Sequence, residues 1–131
     1  MAFLTFRWKT KLNYTPASYT ADETATVLLV NAGDMGFGIC ITRTRVVFNG
    51  GGTDAIIIVG DGDDTDGYLA NGNMDETTVG LYRGAGAYWG TAPKLYTVTD
   101  TIDIGFTANT SGTRTTGAID LAVAVSRVNP I

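Results

Sequence analysis

The chain has 131 residues, 44% hydrophobic and 17% charged, with one cysteine and no histidine. This length suits one domain that buries its own core. A lone cysteine excludes an internal disulfide, and the lack of histidine excludes a Ser-His-Asp triad, a Cys-His pair and any imidazole metal ligand.

Nine Lys and Arg face thirteen Asp and Glu, a formal net charge of −4. The charge is uneven: residues 1–20 carry Arg7, Lys9 and Lys11 and no acid. At the start, Met1 to Lys9 places its charge after a short apolar run, whereas a secretion signal places it before a longer one. The expectation is a chain that stays in a reducing compartment. No stretch reaches the roughly 18 apolar residues of a membrane span.

Threonine, valine, isoleucine and aromatic side chains dominate, and no window repeats apolar residues at helical spacing. Such side chains fit a pleated surface, so the chain reads as all-β. Phe3 to Lys11 alternates and predicts a strand or an extended arm. The arm, residues 1–20, precedes a body of residues 21–131. Phe3, Phe6, Arg7, Trp8, Lys9 and Lys11 are its candidate partner contacts, reaching an acidic surface outside the domain. The alternative is an edge strand, where lysine is favoured. Asn13 to Glu23 is turn-rich around Pro16.

Thr24 to Asn31 predicts a central strand. Met35 to Phe48 predicts a long one, with Ile39, Ile41 and Val47 on one face, Thr42, Thr44 and Val46 on the other, and a bulge at Gly36 or Gly38. Asn49 to Asp54 reads as a glycine-rich hairpin loop; it lacks the Lys-Ser/Thr ending and following helix of a phosphate loop. Ala55 to Val59 predicts a short strand buried on both faces.

Next comes an acidic loop, Gly60 to Asn73, with a candidate helical turn at Tyr68 to Ala70. Asp61, Asp63, Asp64 and Asp66 are candidate oxygen ligands for calcium, although their spacing does not fit the EF-hand pattern. A solvated loop or a partner contact is the other reading. Thr77 to Tyr82 predicts a short strand, and Arg83 to Ala87 a glycine turn. Tyr88 and Trp89 beside that turn are candidates for core closure, a protein interface or sugar stacking. Lys94 to Thr99, Thr101 to Thr107 and Ala118 to Val128 complete the strands, with a turn at Asn109 to Thr113.

Seven to nine strands punctuated by turns predict a single-domain antiparallel β-sandwich, jelly-roll-like. Val27, Leu29, Ile39, Ile41, Ile57, Val59, Ile104, Leu121, Val123 and Val125 form the expected core. No catalytic residues stand out: Asp100, Asp103 and Asp120 offer carboxylates without a marked pair. Cys40 lacks a partner to activate it. No cofactor is expected apart from calcium at those candidate ligands. An acidic body disfavours nucleic acid.

The stretch VVFNGGGTDAIIIVGDGDDTDGYLANGNMD, residues 46–75, resembles small structural proteins encoded among the head genes of tailed bacteriophages. The glycine and aromatic segment Arg83 to Trp89, the Lys94-Leu95-Tyr96-Thr97-Val98 strand and the finish from Thr116 to Val125 extend the resemblance over residues 24–128. It implies a virion component without enzymatic activity: a capsid decoration or cement protein on the head surface. Such a protein would form a homotrimer, contact the major capsid protein and assemble in the host bacterial cytoplasm without nucleic acid or membrane as partner. A receptor- or glycan-binding module of a head or tail fibre, presenting Tyr82, Tyr88 and Trp89, is the alternative. A tail or neck subunit is a third.

Overall fold

A computed structural model describes residues 2–49, 55–89, 93–108 and 114–130; the side chains of 2–6 and 127–130 lie outside the description. The protein is all-β. Its strands are β1 (Ala2–Tyr14), β2 (Glu23–Val30), β3 (Asp34–Val46), β4 (Ile56–Gly60), β5 (Gly80–Arg83), β6 (Lys94–Leu95), β7 (Asp100–Thr107) and β8 (Ala118–Pro130). They form two antiparallel sheets. The larger runs β1-β8-β3-β5, with β6 also on β3, and the smaller runs β2-β7-β4. β1 pairs β8, β2 pairs β7 and β3 pairs β6, as in one long hairpin rolled into a sandwich. This is the jelly-roll arrangement that the turn spacing predicts.

Alternation supplies the core. Ile57 and Val59 of β4, Ile102, Ile104 and Phe106 of β7, and Ile119, Leu121, Val123 and Val125 of β8 are all buried between the sheets. Phe48 stacks on Phe106 at 5.7 Å and meets Tyr19 edge-on. Val27, Ile57, Val59, Ile104, Leu121, Val123 and Val125 thus sit where their pattern places them.

The structure corrects three core assignments. Ile39 is half-buried, Ile41 is exposed, and Leu29 is 52% exposed. On β3 the inward face is the other one: Asp34, Gly36, Gly38, Cys40, Thr42 and Thr44. Space decides this. The Tyr68 hydroxyl lies where a side chain on Gly36 would stand, and the Tyr88–Trp89 backbone lies 2.5 Å from where a Cβ on Gly38 would be. Small residues must therefore face these groups, and the larger apolar ones turn outward. The expected bulge is present: the β3–β8 register shifts between Gly36 and Ile39, and Gly38 adopts φ 69°.

Other expectations also change. β2 is an edge strand and β7 the central one, because β7 pairs on both sides. β4 is buried on one face only, with Ile56 and Ile58 half-buried. No helical turn forms at Tyr68 to Ala70; both Tyr68 and Leu69 bond back to Val59, which makes a β-bridge at Leu69. The strand expected over Lys94 to Thr99 shortens to Lys94–Leu95. The connection around Asn49 to Asp54 is not a hairpin, since β3 and β4 lie in different sheets; residues 50–54 and the turn at 109–113 lie outside the described residues.

Residues 2–11 do not leave the body as an arm. β1 pairs with β8 from Ala2↔Pro130 to Lys11↔Leu121 and forms an edge of the larger sheet. The long closing strand supplies backbone groups that need partners, and β1 is the segment able to satisfy them.

Candidate functional site

The acidic loop begins where β4 ends. Asp61 is only 2% exposed. Its Oδ1 accepts the backbone N–H groups of Asp63 at 3.0 Å and Asp64 at 2.9 Å, closing a tight turn. Tyr88 donates its hydroxyl to the same carboxylate at 3.0 Å, and Tyr96 donates to Oδ2 at 2.8 Å. The Tyr96 hydroxyl also lies 2.9 Å from that of Tyr68. Tyr68 is fully buried and meets Tyr88 edge-on at 5.4 Å. Burial pushes the Tyr68 phenol up to about 12. Tyr88 and Tyr96 are raised for the same leading reason, reinforced by their hydrogen-bonded neighbours.

The remaining carboxylates of the loop point elsewhere. Asp63 accepts from Lys94 Nζ at 2.6 Å. That ammonium also lies over the rings of Tyr88 and Tyr96, at 5.5 and 5.6 Å. Asp64 accepts the Asp66 N–H at 3.3 Å. A hydrogen bond to Asp64 raises the pKa of the Asp66 carboxyl. The four aspartates do not converge on one point, and among the described residues no three His, Cys, Asp or Glu groups gather as metal ligands. What the arrangement does is mechanical: Asp61 ties the end of β4 to the Tyr88 turn and to the segment after β6.

Tyr88 and Trp89, candidate partner contacts, are both half-buried. Trp89 lies under the Arg83 guanidinium at 4.5 Å. Tyr82 packs against the core and donates to Thr78 O at 3.1 Å. Each ring thus engages a different partner. A groove of about 360 Å³ opens on the smaller sheet, lined by Asp22, Glu23, Ile58, Asp103, Gly105 and neighbours. Asp103 there accepts the hydroxyls of Thr26 at 2.8 Å and Thr101 at 2.9 Å.

Of the candidate contacts on β1, Arg7 bonds Asp34 at 3.1 Å. Trp8, Lys9 and Lys11 are exposed. Phe3 and Phe6 have side chains outside the described residues. Cys40 is fully buried, and burial raises its thiol to about 12, in keeping with an inert strand residue.

One pattern escapes a linear reading. Eight of the nine Lys and Arg residues lie on strands of the larger sheet, which carry only Asp34 and Asp120 as acids. The smaller sheet's strands carry Glu23, Asp100 and Asp103 and no base. Arg43 and Arg45 are the residues the sequence reading passes over. Their two-residue spacing with Ile41 is the signal, but its meaning depends on which face of β3 turns inward.

No family model matches the chain, and no curated protein matches it. Among solved structures, a chain of the cyanophage Pam1 capsid asymmetric unit shares the fold. It aligns with a TM-score of 0.55 and 17% sequence identity, over 96% of this chain and 86% of that one.

Proposed function

We propose that the chain is a non-enzymatic structural protein of a tailed-phage virion, a decoration or cement protein bound to the major capsid protein on the head surface. The observation that carries this reading is the fold-level match along nearly the whole chain to a chain of a phage capsid asymmetric unit. Two features support it. The buried carboxylate of Asp61 is engaged by tyrosine hydroxyls and backbone N–H groups, as in a structural clip. Arg43, Arg45 and Arg83 share the outward side of the larger sheet, suiting a protein with one face toward a shell and another toward solvent. A homotrimer would match three-fold positions of a shell. A ligand that prefers the mature lattice stabilises it by mass action at every copy of its site.

The test compares particles assembled with and without this protein during heating. Release of DNA at a higher temperature when it is present supports the proposal. Release at one temperature in both, with the protein located on a fibre or tail, overturns it. The second reading, a glycan-binding module, is favoured by the groove on the smaller sheet. Glycan-array binding lost on Asp103→Ala, without binding to particles, would put it first.

A further inference from the structure

Resting on the decoration reading, we infer that the outward face of the larger sheet is the docking face, and that an acidic protein surface of the shell covers it. Strand register assembles this face. Alternation on β3 sends Ile41, Arg43 and Arg45 outward, opposite to buried Thr42 and Thr44. Pairing then sets Leu81 beside Arg43 and Arg83 beside Ile41. Leu95 falls beside Met35 at one end, and Trp8 beside Ala124 on the β1 side. Leu81 is 72% exposed, and Leu95 and Trp8 are each 55% exposed. Large apolar groups exposed together on one sheet face mark an interaction site rather than ordinary surface.

Charge chooses the occupant. Arg43, Arg45 and Arg83 lie on this face, and the acid beside them is Asp120, held by Arg43 at 2.5 Å with Arg45 at 3.6 Å. The described residues of the face therefore keep an excess of positive charge. A second copy docked face to face about a two-fold axis would bring arginines against arginines, so a self-complementary contact is opposed. A nucleic acid fits poorly too, because the net charge of −4 repels a polyphosphate. An acidic protein surface with its own apolar centre satisfies both features, the arginines forming a polar rim around Leu81 and Ile41. The opposite face of the sandwich presents Thr24, Thr26, Thr101 and Asp103 and, among the described residues, no base. It would look outward, where an acidic coat opposes clumping of particles.

The probe is a particle assembled without this chain. Binding by co-sedimentation is compared for the wild type, for Arg45→Glu with Arg83→Glu, and for Thr24→Lys with Thr26→Lys on the other sheet. Hydroxyl-radical footprinting of the bound wild type provides a measurement that needs no variant. The expected result is a loss of affinity of roughly tenfold or more for the arginine pair, with little change for the threonine pair. Trp8, Leu81 and Leu95 should be protected on binding, and Leu29 should remain reactive. Protection of Leu29 with dependence on the threonine pair overturns the docking face and leaves the decoration reading standing. A wild type that does not bind particles overturns both. Arginine-dependent retention on duplex DNA, or growth of filaments of the chain alone, would replace the acidic protein partner and overturn the inference.

Discussion

The Tyr96 hydroxyl donates to Asp61 Oδ2 across 2.8 Å, and both residues are buried. A buried carboxylate in a β-sandwich is costly unless its lone pairs are filled. Here two phenols and two backbone N–H groups fill them. An apparently solvent-seeking acidic loop is thereby pinned to the aromatic end of the core.

Asp61→Ala should therefore destabilise the fold by about 1–3 kcal/mol, because Tyr96 loses a charged acceptor in a buried setting. Asp63→Ala should cost less than about 1 kcal/mol, since the Asp63 side chain is 76% exposed and its lysine pair is screened by solvent. Urea denaturation of both variants checks the difference; equal losses would refute the clip.

Ile104→Ala should cost about 2–5 kcal/mol, as Ile104 is fully buried in the central strand of the smaller sheet. Leu29→Ala should stay within about 0.5 kcal/mol. Chemical denaturation midpoints for the pair test the inward faces of β7 and β2 directly.

Gly36→Ala should destabilise by about 1–3 kcal/mol through overpacking against the Tyr68 hydroxyl. The same substitution in a Tyr68→Phe background should cost less, because the obstructing oxygen is gone. A double-mutant cycle measured by thermal unfolding reads this coupling; a cycle with no coupling would place the two residues apart.

Stability should fall at both ends of the pH scale. The Tyr68 phenol is raised to about 12 in the folded chain, above its ordinary 10.0. Its contribution is complete below about pH 10 and is lost as pH rises through about 12. On the acid side, the Asn13 N–H and the Arg43 guanidinium hold the Asp120 carboxyl below its ordinary 3.8. That contribution is present above about pH 4 and is lost as pH falls through the folded value. Tyrosinate absorbance should show a class of phenols that ionise only with unfolding. Free titration of every tyrosine near pH 10 in the folded protein would contradict this.

Cys40 should resist maleimide in the native protein and react fully in denaturant, given its full burial and raised thiol pKa. Rapid native labelling, followed by mass spectrometry, would show that β3 opens.

Fold class and most of the strands are written in the local order of residues. Alternation in Thr101 to Thr107 and Ala118 to Val128 needs no distant information, because a strand with one buried face writes a period of two into its residues. The bulge near Gly36 and Gly38 was legible because the spacing from Phe37 to Phe48 breaks that period. Which face of β3 turns inward is set by contacts distant along the chain. Both faces of that strand offer a consistent period, and the choice depends on Tyr68, Tyr88 and Tyr96 arriving from later in the chain. Such contacts also decide that residues 2–11 join the sheet, since an edge strand and a free arm share one pattern until the closing strand β8 offers its backbone. The charge divide between the sheets belongs to topology as well: Arg7, Arg43 and Arg83 are distant in sequence, and β8 and β3 bring their strands into one sheet.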